Sequence, residues 1–300
     1  MKKYFLSLAF ALAVASTTLA QRVPQPSPSA GVMQTVGVTD FTVLYSRPSA
    51  KGRAIFGEST LVPYGQLWRT GANATTTIEA STDFTFGGQK VPAGKYALFT
   101  IPGGGQWTII LNKNTKATAT TYQNTEDVAR ITAYPSSAPF AESFTISFSD
   151  VTDSTAKLNL AWSSVNVPIK LDVTTTQNTL ATLEKAVAEH PEDQAVLLST
   201  ATYWLSKGYE LDRALALTDK AIGLQENFRN VWLKAQILAK MGKQAEALPL
   251  AQKALALGAT SNDGAYSYMK PQIESGIAAI TAKLPTATTT ATASKGKKKK

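Results

Sequence analysis

The run IKLDVTTTQNTLATLEKAVAEHPED, residues 169–193, changes its periodicity halfway. Ile169, Leu171 and Val173 alternate with Lys170 and Asp172, the period-two pattern of a half-buried strand. Beyond Thr174 the apolar residues recur at helical spacing instead. Upstream, from about Met33, the texture stays β. FTISFS sets Phe144, Ile146 and Phe148 against Thr145, Ser147 and Ser149, and LNLAW sets Leu158, Leu160 and Trp162 against Asn159 and Ala161. Gly87-Gly88, the PAG of 92–94 and the PGGG of 102–105 punctuate short apolar runs, so YALFTI (96–101) and WTIIL (107–111) read as two arms of a hairpin. The expected fold class is α+β with the two kinds of structure segregated: an N-terminal antiparallel β-sandwich over 33–173, then helical hairpins over 177–283.

In the helical part, Ala186, Ala221 and Ala254 stand 35 and 33 residues apart, Gly208 and Gly242 stand 34 apart, and Ala214 and Ala247 stand 33 apart. A period near 34, with small residues where helices would cross and Gly at the turn between them, resembles the tetratricopeptide repeat. Pro191, five residues after Ala186, marks the stop of a first helix. Two repeats are expected, with one helix before them and a trailing helix over about 265–283. The resemblance implies a concave face suited to a protein or peptide partner.

The ends of the chain carry other signals. MKKYFLSLAFALAVASTTLA has two lysines, an apolar run and small residues before Gln21, the tripartite form of a secretory signal peptide over 1–20. That leader implies export to the periplasm or the extracellular space. Residues 21–32, rich in Pro and Ser, read as a linker, and 284–300 as a low-complexity Lys-rich tail. No later segment is apolar enough for a transmembrane span. Of the formal charge of +9, two lysines fall in the leader and five in the tail, which leaves +2 on the body. That distribution does not describe a nucleic-acid-binding face. The chain has no Cys, which excludes disulfides, thiolate metal sites and cysteine nucleophiles.

Three runs, YSRPSAKGRAIFGE, LVPYGQLWRTGAN and PAGKYALFTIPGGGQWTIILNK, are together similar to the bacterial family catalogued as domain of unknown function 2911. The resemblance covers about residues 34–173. It implies an exported protein with a helical C-terminal region and carries no established activity. This chain departs from the family at 117–124, where ATATTYQN replaces an expected Trp-Gly pair.

Candidate chemistry is sparse. The one histidine, His190, sits in the AEHPED turn and reads as a solvated turn residue, from which neither a catalytic triad nor a His-rich metal site is plausibly built. Neither a metal site nor a cofactor is expected. Glu79 and Asp83 occupy odd positions of a run whose apolar Ile78, Ala80, Phe84 and Phe86 are even, so both acids should face water. The densest cluster is Tyr45, Arg47, Lys51, Arg53, Trp68, Arg69 and Asn73, with Tyr64 nearby, in turn-rich sequence. Arg offers a planar fork for carboxylate, phosphate or sugar hydroxyls, and Trp and Tyr offer stacking faces. The same residues could instead plug a sandwich end, with the arginines bonded to loop carbonyls. The function these features favour is a non-enzymatic binding module of the cell envelope, taking a polar or anionic small ligand or a glycan. The alternative is a hydrolase or isomerase that sets Glu58 or Glu79 beside the cluster.

Overall fold

The structure, a computed structural model, describes residues 23–284. The expected leader, and all of the expected tail except Leu284, lie outside the described residues. The chain forms two compact units, the first ending at Thr175 and the second beginning at Thr176. The change of periodicity at Thr174 falls where β12 gives way to the first helix.

The first unit has twelve strands: β1 (Ser29–Val36), β2 (Thr39–Ser46), β3 (Phe56–Gly57), β4 (Val62–Pro63), β5 (Thr77–Ala80), β6 (Phe84–Phe86), β7 (Gln89–Val91), β8 (Gly94–Ile101), β9 (Trp107–Asn112), β10 (Asp127–Ala133), β11 (Ser136–Ser149) and β12 (Thr155–Val173). An antiparallel six-stranded sheet runs β1-β2-β5-β8-β9-β10, and an antiparallel four-stranded sheet runs β11-β12-β6-β7. β3 and β4 form a short parallel pair apart from both. The two sheets share one core. Phe41 of β2 meets Phe84 of β6 edge-on at 5.3 Å and lies 6.1 Å from Phe148 of β11, while Tyr45 meets Phe144 at 5.8 Å.

Three features depart from the sequence pattern. β1 begins at Ser29, so residues 29–32 belong to the sheet rather than to a linker ending at 32. Glu79 and Asp83 are exposed as expected, but their run is two strands, not one. β5 lies in the six-stranded sheet and β6 in the four-stranded sheet, and the chain crosses between them at 81–83. The parity survives because both strands face the same core. LNLAW and IKLDV, conversely, are one strand. β12 buries even residues to Trp162 and odd residues from Val167. Side-chain direction alternates strictly along a strand, so a local slip is required to keep both sets inward. Ser163, at φ +53°, lies within that stretch, and the β11–β12 register shifts there.

β8 and β9 are buried on both faces, which explains their unbroken apolar runs. Tyr96, Leu98, Ile109 and Leu111 enter the main core. Ala97, Phe99 and Ile110 point the other way, beneath Ala117 and Tyr122 of the loop after β9. That loop is the ATATTYQN departure. The Tyr122 hydroxyl donates to Asp127 Oδ2 at 2.7 Å and accepts from Arg130 at 2.8 Å. Burial, first, and then the Asp127 carboxylate raise the Tyr122 pKa to about 12.

The second unit contains α1 (Thr175–Glu189, whose first residue closes the β unit), α2 (Gln194–Lys207), α3 (Leu211–Leu224), α4 (Phe228–Lys240), α5 (Gln244–Ala259) and α6 (Ala265–Ala282). Asp193 caps α2 by accepting from the Ala195 and Val196 amides, and an Asn227–Asn230 capping box opens α4. Gly208 closes α2 in the left-handed conformation that favours Gly. α2 packs on α3 and α4 on α5, and α4 also touches α2 and α6. Ala214, Ala221, Ala247 and Ala254 are completely buried, the position that close helix approach demands. Ala186 is only half-buried, and α1 buries no residue fully.

Replacing Ala221 or Ala254 with Leu should overpack a helix crossing and cost about 1–3 kcal/mol in denaturant melts. A second expectation concerns alkaline pH. The folded state holds the Tyr122 proton more tightly than the unfolded chain, whose phenol titrates near 10. This contribution is complete below pH ~10 and is lost as pH rises toward ~12. Tyr122→Phe should therefore flatten that part of the stability–pH curve, as measured by urea melts across the window.

Candidate functional site

The stretch YGQLWRTGAN places its tryptophan by backbone pairing. Trp68 N–H donates to Thr100 O at 2.7 Å, and Thr100 N–H donates back to Trp68 O at 2.9 Å. Trp68 thus extends the edge of β8 that β5 occupies further along. Between them, residues 69–76 leave the sheet and return. The Thr76 amide reaches Arg69 O, the Thr76 hydroxyl reaches Thr70 O at 2.6 Å, and the Leu98 amide takes Thr76 O at 2.8 Å. Thr70 is completely buried at φ +53°, an unfavourable conformation for a β-branched residue. Gly71 follows at φ +154°, where a Cβ would stand 3.0 Å from Thr76 Oγ1 and 3.1 Å from Ser46 O. Asn73, at φ +56°, donates from Nδ2 to Ser27 O at 2.9 Å.

The Trp68 ring stacks on Trp162 of β12 at 5.9 Å and meets Phe144, Phe56 and Trp107 edge-on. Its Nε1 donates to Gly71 O at 2.9 Å. It therefore plugs one end of the sandwich and also holds the base of the 69–76 loop.

A second wall comes from residues 48–53, where the chain leaves β2 and pairs with β11 of the other sheet. Phe144 N–H donates to Pro48 O, Ala50 N–H to Glu142 O, and Lys51 N–H to Glu142 Oε1. Lys51 and Gly52 both have positive φ, so the turn is tight. Arg53 folds back on it, donating from Nε to Ala50 O at 2.9 Å and from an Nη to Ser49 O at 2.6 Å.

Between these walls lies a cavity of about 460 Å³. It brings together five of the candidate residues: Lys51, Arg53, Trp68, Arg69 and Asn73. Arg69 donates once, to Asn73 O at 2.7 Å. Among the described residues no ion pair engages Lys51, Arg53 or Arg69, and no carboxylate lines the cavity.

Tyr45 and Arg47 do not line the cavity. Tyr45 is buried between the sheets, where its hydroxyl accepts from the Ile146 amide at 3.1 Å. Arg47 donates from Nε to Phe144 O at 3.0 Å and from an Nη to Thr145 Oγ1 at 2.7 Å, tying β2 to β11. Tyr64 is exposed and also outside the lining. Glu58 and Glu79 do not line the cavity either. Glu79 faces Lys95 at 3.8 Å on the outer surface, and Asp83 accepts from the Ala93 amide. His190 is exposed in the turn after α1. Among the described residues no group of acids and histidines could hold a metal ion, and no helix is long and apolar enough to cross a membrane.

Sequence reasoning missed Pro26 and Ser27, which line the cavity, because a Pro/Ser-rich run carries no signal of where it docks. It also missed Trp162, whose place in LNLAW announced an inward strand residue but not its position beneath Trp68.

The family model described as "Protein of unknown function (DUF2911)" matches residues 27–171, within the β unit. The match begins within the Pro/Ser-rich run, in keeping with Ser27 being held by Asn73. No curated protein matches the chain.

The two arginines should respond differently to truncation. Arg47→Ala leaves Phe144 O without its donor and should cost about 1–3 kcal/mol. Arg69→Ala gives up one exposed bond and should cost less than about 1 kcal/mol. Urea melts of both variants measure the difference.

Proposed function

We propose that this chain is an exported, non-enzymatic binding protein of the cell envelope, whose β unit takes a polar or anionic small ligand in the cavity beside Trp68. The observation that carries this reading is the site's composition. Lys51, Arg53 and Arg69 line one concavity whose lining includes no carboxylate, Glu142 being engaged by the Lys51 backbone amide, and they stand beside a tryptophan held in place by backbone pairing. Like charges gathered at one place repel, and an incoming ligand with negative charge or acceptor oxygens relieves that repulsion. Export is supported by the leader pattern of residues 1–20.

A hydrolase or isomerase would need a carboxylate or another base within reach of a bound substrate. Glu58 and Glu79, the acids considered for that role, are not at the cavity, so binding without chemistry is favoured. The helical unit offers a second surface, for a protein or peptide partner. There Leu205, Trp232 and Gln236 of α2 and α4 line two depressions, one shared with Ile280 and the other with Met269 of α6.

The test is a ligand screen on the intact chain by thermal shift and tryptophan fluorescence, with glycans, peptides and anionic metabolites. Hits should perturb tryptophan emission and weaken in Arg69→Ala. Hits that are indifferent to Arg69→Ala and to Lys51→Gln would remove the cavity from consideration. In parallel, N-terminal sequencing of the protein from cells should begin at Gln21, and an intact Met1 would overturn export.

A further inference from the structure

Resting on the reading of this cavity as a ligand site, we infer that its occupant is a small organic anion, a phosphate or carboxylate group on an apolar body, and not a neutral glycan. The balance of hydrogen-bond donors and acceptors carries the inference. A guanidinium has five N–H donors and no acceptor. Arg53 gives two of its donors to Ala50 O and Ser49 O, which leaves three. Arg69 gives one to Asn73 O, which leaves four. The Lys51 ammonium adds three more and bonds no described residue; only its backbone amide is engaged, by Glu142.

Acceptors are scarce by comparison. Asn73 has its amide oxygen, while Ser49 shares its hydroxyl with Ser143 at 3.0 Å. With no carboxylate lining the cavity, a sugar hydroxyl could accept bonds here but would find few partners for its own proton. A phosphate or carboxylate only accepts, and it matches a lining in which charged donors outnumber the side-chain acceptors of Ser27, Ser49 and Asn73. It also neutralises charge, as no polyol can.

The remaining walls define the other end of the ligand. Leu61, Val62, Pro26 and Pro48 line the cavity with Trp68, and Leu61 stays 45% exposed at its lip. An apolar body placed there would cover surface that the protein leaves in water. The two cation-bearing turns are also set in advance. Lys51, Thr70 and Asn73 are three of the six non-glycine residues at positive φ among those described, and all three belong to these turns. The positive-φ backbone of these two facing turns sets the points from which the charged side chains project.

Titration calorimetry on the intact chain, at low and at physiological salt, separates the possibilities. The probes are phenyl phosphate, benzoate, inorganic phosphate, benzyl alcohol and phenyl β-glucoside. Phenyl phosphate or benzoate should bind, more weakly as salt rises, and should lose at least about tenfold in Lys51→Gln and in Arg69→Gln. Lys51 is exposed, and Arg69, half-buried, gives up a single bond to Asn73 O within its own loop, so the variants should fold. Phenyl β-glucoside or benzyl alcohol binding as tightly as the anions would overturn the anionic assignment while leaving the cavity a ligand site. Inorganic phosphate matching phenyl phosphate would overturn the apolar body. Anion binding unchanged in both variants would place the site elsewhere. If no probe binds at all, both this inference and the binding reading beneath it fail.

Discussion

The β unit depends on how Trp68 is held. Its backbone belongs to the six-stranded sheet through the reciprocal bonds with Thr100, while its ring lies on Trp162 of the four-stranded sheet at an interplanar angle of 21°. One residue therefore sets the separation of the two sheets at this end. Phe56 joins edge-on to Trp68, Trp107 and Trp162, so the short β3–β4 pair is fastened to the same cluster. Individual aromatic pairs contribute about 0.5–1.5 kcal/mol beyond area burial. These pairs share rings, so their contributions are not additive. What the cluster supplies is geometry: a closed, well-packed sandwich end on which irregular backbone can stand.

Around that plug the chain sorts its polar groups by where their partners lie. Tyr45 and Arg47 leave β2 on the side of β11, and they find the Ile146 amide, Phe144 O and Thr145 Oγ1 there. They satisfy groups that the sandwich would otherwise bury without partners, at a cost of 1–3 kcal/mol each by general experience. Lys51 lies in the tight turn a few residues on and is exposed, and Arg53, just past it, folds back onto Ala50 O and Ser49 O. Similar composition on one short stretch thus serves two ends, and the turn at Lys51–Gly52 divides them.

This division explains which parts of the molecule were legible in the sequence. The segregated α+β fold, the 96–111 hairpin, the boundary at Thr174 and the trailing helix all follow from local periodicity, a property of neighbouring residues. The alanines at 214, 221, 247 and 254 were legible because a 33-residue spacing repeats one packing environment. What stayed hidden depends on residues distant in sequence. The slip near Ser163 shows only as two runs of opposite parity, which read equally well as two strands. The crossing at 81–83 leaves parity untouched and so leaves no trace. The cavity illustrates the same limit: five of seven candidate residues meet there, but Arg47 and Arg69 differ only in what lies across from them, and Pro26 and Ser27 joined through a bond to Asn73 made 46 residues away.

The same long-range bond shows why strain at Thr70 can persist. A buried threonine at positive φ costs of order 1–3 kcal/mol and relaxes unless its surroundings forbid it. Here Trp68 fixes the residue two before it, Thr76 closes the loop on Thr70 O, and Asn73 ties the loop's outer side to Ser27. Gly71 packs closely on Ser46 and Thr76, where a Cβ would crowd Thr76 Oγ1 and Ser46 O. The Arg69 side chain therefore projects from a backbone that several hydrogen bonds restrain. The aromatic plug is what allows a turn, and not a regular element, to serve as the wall of the cavity.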